Sequence, residues 1–121
     1  MMRYETILYV SDHAVSNNPN VDVLEAAGYE VVCASPSQAV ALLYVLHCIG
    51  LVVVDLEVAE QSSADVVASL TAVCPGVPIL MLVRDEPCHL PSGVDVCLTA
   101  RQALKQLTST VRRLLDARLV S

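Results

Sequence analysis

The chain has 121 residues, of which 55% are hydrophobic and 17% are charged, and its net charge is −6. This length is typical of one domain, and we take residues 1–121 as a single domain. The composition is that of a compact globular protein and not of a disordered one. The acidic charge argues against binding of nucleic acid by this domain, and no window reaches the ~18 to 20 unbroken apolar residues of a membrane span.

The N-terminal segment and the cysteines favour a cytoplasmic location. The first apolar run is interrupted by Glu5 and lacks a small-residue cleavage site, so we interpret it as a strand and not as a signal peptide. The five cysteines are irregularly spaced and form no C-x-x-C pair, which argues against a disulfide framework or a zinc site. Most are expected to be small buried hydrophobic residues. The role of Cys88, in a predicted loop, is left open.

The chain begins with a strand, a short helix and a second strand. TILYVS, residues 6–11, is rich in strand-forming residues. The first helix is expected to have Asn18 as its N-cap, Pro19 at its first position and Gly28 at its end. EVVCA, residues 30–34, is the second predicted strand.

The second helix has a clear signal at its N-terminus. Ser35 is the expected N-cap, Pro36 occupies the first helical position and Gln38 completes a capping box. Gly50 is expected to end this helix. Its apolar stripe follows the spacing of a helix face and consists of Ala39, Leu42, Leu43 and Leu46.

The second half of the chain continues the alternation of strands and helices. LVVVD is the third strand, and its unbroken apolar run predicts burial on both faces, as in a parallel sheet. The third helix is expected to begin near Ser62 or Ser63 and to end at Pro75 and Gly76. VPILMLV and VDVCLT are the fourth and fifth strands, and a helix ends the chain. The apolar face of that helix is expected to be formed by Leu104, Leu107, Val111, Leu114 and Leu115.

Carboxylates follow the ends of two of these strands. The alternation predicts an α/β fold with a doubly wound parallel sheet, in which the functional site lies beyond the carboxyl ends of the strands. Asp12 follows the first strand, Asp55 ends the third, and Glu57 comes two residues later. A hard cation such as Mg²⁺ relieves repulsion within such a cluster and assists phosphoryl chemistry. The alternative is that Asp55 only caps the loop after its strand.

The order and spacing of these segments resemble one known family. ILYVSDH, LEAAGYEVVCAS, LVVVDLEV, VPILMLV and GVDVCLTA together are similar to the receiver domain of bacterial response regulators, of the chemotaxis-regulator type, over nearly the whole chain. The resemblance implies a flavodoxin-like fold with a five-stranded parallel sheet of order 2-1-3-4-5. It also implies a non-enzymatic module of two-component, phosphorelay signalling, whose partners are a histidine kinase or an output protein.

The resemblance assigns roles to the acidic residues. Asp55 takes the position of the phosphoacceptor. Asp12 takes the second position of the family's acidic pair and is implied to bind Mg²⁺ together with Asp55. Glu57 is at the position whose backbone carbonyl is a metal ligand. A backbone ligand tolerates any side chain, so the identity of residue 57 is weak evidence for the resemblance.

Several positions depart from the family pattern. Ser11 replaces the first acid of the pair, and Ala59 replaces a common loop proline. Val83 stands where the family has a Thr or Ser hydroxyl, and Ala100 where it has a Lys that pairs with phosphoryl oxygens. Cys97 stands where an aromatic switch residue is usual. Loss of the Lys removes a charge-assisted contact of about 1.5 to 3 kcal/mol, so phosphorylation is expected to be weakly coupled to rearrangement of the surface.

The segment between the fourth and fifth strands is also unusual. RDEPCHLPS is too short for a normal helix, and Pro87 and Pro91 oppose one, so the family's fourth helix is expected to be shortened or absent. Arg84 or Arg101 is a candidate to replace the missing Lys near Asp55. The alternative is that both arginines are solvated at the surface.

Three functions are consistent with these features. The first is an atypical receiver that acts by protein–protein interaction with weak or no phosphorylation, and the second is a Mg²⁺-dependent phosphoacceptor that uses Asp55. The third, a flavodoxin-like cofactor binder, is disfavoured because the loop after the first strand has no glycine and the chain has no Trp or Phe. The last helix could also pair with another copy in a homodimer, although the same stripe is needed to cover the sheet.

Overall fold

The computed structural model describes residues 6–11, 18–45, 49–55, 60–83 and 92–120. Five strands and four helices alternate along these residues. They are β1 (Thr6–Ser11), α1 (Pro19–Ala26), β2 (Glu30–Ala34), α2 (Pro36–Val45), β3 (Ile49–Asp55), α3 (Glu60–Val73), β4 (Ile79–Val83), β5 (Val96–Thr99) and α4 (Ala100–Val120).

The strands form one parallel sheet of order β2-β1-β3-β4-β5, which confirms the predicted flavodoxin-like topology. The register places Asp55 at the end of β3 opposite Ser11 of β1 and Leu82 of β4. Val83, at the end of β4, is opposite Thr99 of β5. Because parallel strands end at the same edge, all five residues lie at the carboxyl edge of the sheet.

The central strand β3 is covered on both faces. Alternate residues of a strand point to opposite sides, and here both sides are apolar. Leu51 and Val53 belong to a core formed with α1 and α4, whereas Val52 and Val54 belong to a second core formed with α2 and α3. The predicted burial of this strand is therefore confirmed.

The predicted helix N-termini of the first half of the chain are confirmed by their hydrogen bonds. The Asn18 side chain accepts a bond of 2.8 Å from the backbone N–H of Asn20. Ser35 and Gln38 form the capping box, with distances of 3.3 Å from the Gln38 N–H to Ser35 Oγ and 3.1 Å from the Ser35 N–H to Gln38 Oε1. Gly28 follows α1 with a φ of 101°, a conformation that favours glycine.

Some predicted boundaries were wrong. Gly50 does not end a helix but lies in β3. The register with β1 shifts there, because Thr6 pairs with Ile49 and Ile7 pairs with Leu51. Gly50 is therefore the extra residue of an irregularity in the strand, a position where glycine is common. Ser62 and Ser63 lie inside α3 and do not cap it, since the helix already includes Glu60. β4 and β5 each begin two residues later than predicted.

The apolar face of α4 was predicted incorrectly at one position. Leu107, Val111 and Leu115 are buried as expected, but Leu104 is 78% exposed and Ala103 takes the buried position. A step of one residue rotates a side chain by about 100° around the helix, which is enough to move Leu104 to the solvent side. The expectation that the cysteines are buried fails for Cys33, which is exposed, whereas Cys74 and Cys97 are half-buried.

The segment of residues 84–91, where the family's fourth helix was predicted to be shortened or absent, lies outside the described residues. That prediction, and those on Arg84 and Cys88, therefore stay predictions. In the described ranges, no helix is both long and apolar enough to cross a lipid bilayer.

We expect Leu107→Ala to lower the free energy of unfolding by about 2–5 kcal/mol, because it leaves a cavity beneath α4. The matched control Leu104→Ala removes an exposed side chain from the same helix and should change it by no more than about 0.5 kcal/mol. Urea unfolding followed by circular dichroism measures both. Equal losses for the two variants would contradict the assignment of the buried face.

Three glycines allow conformational strain to be separated from steric clash. A Cβ at Gly93, whose φ is 101°, would lie 2.7 Å from Thr71 Oγ1, whereas Gly28 has the same φ but open space around it. Gly76 has open space and no positive φ. We expect a loss of stability of about 2–4 kcal/mol for Gly93→Ala, about 1 kcal/mol for Gly28→Ala and about 0.5 kcal/mol or less for Gly76→Ala. The same urea unfolding measures this order, and Gly93→Ala being no worse than Gly28→Ala would contradict it.

Candidate functional site

Asp55 lies where the buried strand reaches the surface. Ile49–Val54 are all buried, and Asp55 is the first half-buried residue of β3. A carboxylate at this boundary loses part of its hydration and needs a polar partner. The structure identifies that partner within the sheet.

Tyr9 of β1 donates a hydrogen bond from its hydroxyl group to Oδ2 of Asp55. The Tyr9 side chain has no exposed surface and belongs to the core beneath α1 and α4. Tyr9 is in register with Val53, so the ring crosses diagonally to the residue two positions further along β3. A neutral donor to a carboxylate forms a charge-assisted bond, which is stronger than a bond between neutral groups.

Two asparagines at the start of α1 determine the direction of this bond. The Nδ2 groups of Asn18 and Asn20 donate to the Tyr9 hydroxyl oxygen at 3.3 and 3.2 Å. A hydroxyl oxygen has two lone pairs and one proton, so with both amides donating to it, the proton is directed to Asp55. The residue that caps α1 thus also orients the group that bonds to Asp55.

The pKa of Tyr9 is raised above the ordinary value of a phenol, mainly because burial disfavours the charged phenolate. The hydrogen bond to Asp55 and the negative charge of Asp55 raise it further, and the two asparagine amides oppose this in part. Tyr9 therefore stays protonated, and remains a donor, throughout the neutral range.

The other predicted metal ligands, Asp12 and Glu57, lie outside the described residues. In the described ranges no three His, Cys, Asp or Glu side chains come together as a potential metal site. The group that bonds to Asp55 there is a donor, the Tyr9 hydroxyl, and the two asparagine amides donate in turn to that hydroxyl. A set of donors suits a carboxylate and does not suit a cation, so the described side of the site fits Mg²⁺ poorly.

Two of the positions that depart from the family pattern, Val83 and Ala100, lie at the same edge of the sheet. Val83 is half-buried and packs against the core beneath α2 and α3, and Ala100 is the exposed first residue of α4. Arg101 is exposed, and no ion pair links it to a carboxylate of the described ranges. Within those ranges the group that bonds to Asp55 is therefore Tyr9 and not Arg101.

Sequence reasoning did not identify Tyr9, Asn20 or the second capping box. Tyr9 was interpreted only as a strand-forming residue. A tyrosine within a strand buried on both faces must find a partner for its hydroxyl, which was the available signal. At the start of α4, Thr99 and Gln102 cap each other, with distances of 2.9 Å from the Thr99 N–H to Gln102 Oε1 and 3.2 Å from the Gln102 N–H to Thr99 Oγ1.

The raised pKa of Tyr9 predicts a loss of stability in alkaline solution. The folded state holds the phenol proton above pH 10, where the unfolded chain releases it, so this group stabilises the fold fully below pH 10 and progressively less as pH rises beyond it. We expect urea unfolding at pH 9 and pH 11 to show a larger decrease in stability for the wild-type chain than for Tyr9→Phe. Equal decreases would contradict this assignment.

The comparisons with known proteins agree on the fold. The sequence matches no protein-family model and no curated protein. Solved structures match over nearly the whole chain. A CheY-like receiver domain protein from Methanospirillum hungatei is 19% identical, with a TM-score of 0.80, and the match covers 95% of this chain and 96% of the other.

Two further structures extend this similarity. The signal receiver domain of an HD domain-containing protein from Pseudomonas fluorescens is 17% identical, with a TM-score of 0.82 and coverage of 99% and 93%. A response regulator receiver protein from Sinorhizobium medicae is 24% identical, with a TM-score of 0.75 and coverage of 95% and 97%. With the five parallel strands in the same order, the fold of this chain is therefore that of the CheY-like response regulator receiver domains.

Proposed function

We propose that this chain is an atypical receiver domain of two-component signalling, a non-enzymatic module that acts by protein–protein interaction with weak or no phosphorylation. The observation that carries the proposal is the environment of Asp55. The carboxylate ends β3, where the resemblance assigns the phosphoacceptor, and its bonded neighbour is the Tyr9 hydroxyl. The receiver fold supports a role in signalling, and the bond between Tyr9 and Asp55 supports a role that does not depend on phosphorylation.

The altered positions at the carboxyl edge make phosphoryl transfer to Asp55 unfavourable. A phosphoryl group on Asp55 would bring several negative oxygens to this edge, and they need donors or cations. Val83 offers no hydroxyl and Ala100 no ammonium group. The missing ammonium contact is worth about 1.5 to 3 kcal/mol, so the aspartyl phosphate would form slowly and to a low level.

The resemblance assigns Mg²⁺ to Asp12, Asp55 and the backbone carbonyl of Glu57, where it would neutralise phosphoryl charge. We keep these three residues as the proposed ligand positions. The Tyr9 hydroxyl, which donates to Asp55 and is itself oriented by the two asparagine amides, favours a hydrogen-bonded carboxylate without a cation. We therefore assign no step of the proposed function to Mg²⁺.

The exposed side of α4 supports an interaction role. Five of the seven Lys and Arg residues of this acidic chain belong to α4, together with one carboxylate, Asp116. The described cations are exposed, and no ion pair ties them to a described carboxylate; they are Arg101, Lys105, Arg112 and Arg113. An uncompensated basic surface favours contact with an acidic surface of a protein partner. We infer that such a partner, a cytoplasmic kinase or output protein or a second copy of this chain, contacts this side.

Incubation with acetyl phosphate and Mg²⁺, followed by intact mass measurement, tests the proposal. We expect little or no addition of 80 Da to the wild-type chain, a figure that is about the mass of one phosphoryl group. Val83→Thr combined with Ala100→Lys restores the hydroxyl and the ammonium group and should increase the modified fraction severalfold.

The control is the same double variant with Asp55→Ala, which should abolish any gain in mass. Rapid modification of the wild-type chain that is lost in Asp55→Ala would overturn the proposal. That outcome would favour the alternative function, a working phosphoacceptor receiver that uses Asp55.

A further inference from the structure

We propose that Tyr9 is a specificity-determining residue of this site. Its hydroxyl holds Asp55 in a hydrogen-bonded state that competes with the binding of a divalent cation. The proposal deepens the proposed function and rests on it in one respect, that Asp55 is the residue a cation would bind. It concerns the hydrogen bond itself and not the residues missing from the family pattern.

The Tyr9 hydroxyl already occupies one oxygen of the carboxylate that a cation would bind. Tyr9 belongs to β1, which neighbours β3, so the hydroxyl approaches Asp55 from the β1 side. Asp12, the other proposed ligand, directly follows β1 in the chain. A cation bound by both Asp12 and Asp55 would need an oxygen of the Asp55 carboxylate, and Oδ2 already accepts the bond from Tyr9. The Tyr9 hydroxyl and the cation therefore compete for Asp55.

The competition is effective because the Tyr9 hydroxyl is fixed in position. Tyr9 is completely buried, and its oxygen accepts bonds from Asn18 and Asn20, whose own helix is anchored by the Asn18 cap. Rotation of the hydroxyl away from Asp55 would leave a buried proton without an acceptor, which is costly. A cation must therefore displace a bond that the surrounding core maintains.

The polarity of the bond adds to this effect. The hydroxyl withdraws electron density from the oxygen to which it donates, so Asp55 is a weaker ligand and a weaker nucleophile than a solvated carboxylate. The Asp55 carboxylate thereby has a hydrogen-bond partner without a metal ion. This arrangement accounts for a charged residue at the end of an apolar strand in a site that lacks the Lys.

The binding of Mn²⁺, a paramagnetic substitute for Mg²⁺, tests the competition directly. Electron paramagnetic resonance measures free Mn²⁺ during titration of the wild-type chain and of Tyr9→Phe. We expect Tyr9→Phe to bind Mn²⁺ about tenfold more tightly or better, because it removes one charge-assisted hydrogen bond and keeps the ring. Tyr9→Phe combined with Asp55→Ala should lose this gain.

The matched control is Tyr29→Phe, which removes the hydroxyl of a half-buried tyrosine of the same core and should bind Mn²⁺ like the wild-type chain. Equal or weaker binding by Tyr9→Phe than by the wild-type chain would overturn the inference. If Tyr9→Phe does not fold, Asn20→Ala decides the question. Loss of one support of the hydroxyl should then tighten Mn²⁺ binding about two- to threefold, and an unchanged affinity would overturn the inference.

Failure of this inference can be distinguished from failure of the proposed function. Mn²⁺ binding is measured without a phosphodonor, and the phosphodonor experiment uses no Tyr9 variant. Ready phosphorylation of the wild-type chain would overturn the proposed function, whatever the affinity of Tyr9→Phe for Mn²⁺. Unchanged Mn²⁺ binding by Tyr9→Phe in an unreactive wild-type chain would overturn only the role of Tyr9.

Discussion

Burial of β3 on both faces is the constraint on which the rest of the structure depends. The strand is hydrogen-bonded to β1 on one side and to β4 on the other, and helices cover it above and below. Most of its length is therefore shielded from solvent, and Asp55 is where the strand reaches the surface again. A charge at this point must be satisfied by neighbours at the carboxyl edge, and the identity of those neighbours decides what the site does.

The neighbour found in this chain is a tyrosine that belongs to the core. Tyr9 contributes its ring to the packing beneath α1 and α4 and its hydroxyl to Asp55. The asparagines at the start of α1 complete the network. Polar contacts therefore connect the N-terminus of α1 with β1 and, through Tyr9, with β3. A network of this kind favours one arrangement of Asp55, since each member has its partners only when all are in place. This chain thus combines the receiver fold with a site in which a hydrogen bond from a core residue, Tyr9, holds Asp55 in place.

Much of the fold could be predicted from the sequence because it depends on local signals. Asn18, Ser35 and Gln38 cap helices through contacts within three residues, and the apolar run of β3 predicted a parallel sheet. The errors occurred where the signal was ambiguous. Gly50 can end a helix or interrupt a strand, and only pairing with β1 decided between these outcomes. Leu104 fitted the apolar stripe of α4 by spacing alone, but the position of the sheet selected Ala103.

The candidate site also has features that could be predicted from the sequence and features that required the tertiary structure. The sequence by itself determined that Asp55 ends a buried strand and that Val83 and Ala100 carry neither a hydroxyl nor an ammonium group, since these facts depend on residue identity and order. Only the tertiary structure decided that Tyr9 is the partner of Asp55, because the two residues are 46 positions apart and meet through the pairing of β1 with β3. Side-chain hydrogen bonds across a sheet depend on register and on ring orientation, and neither leaves a periodic signal in the sequence.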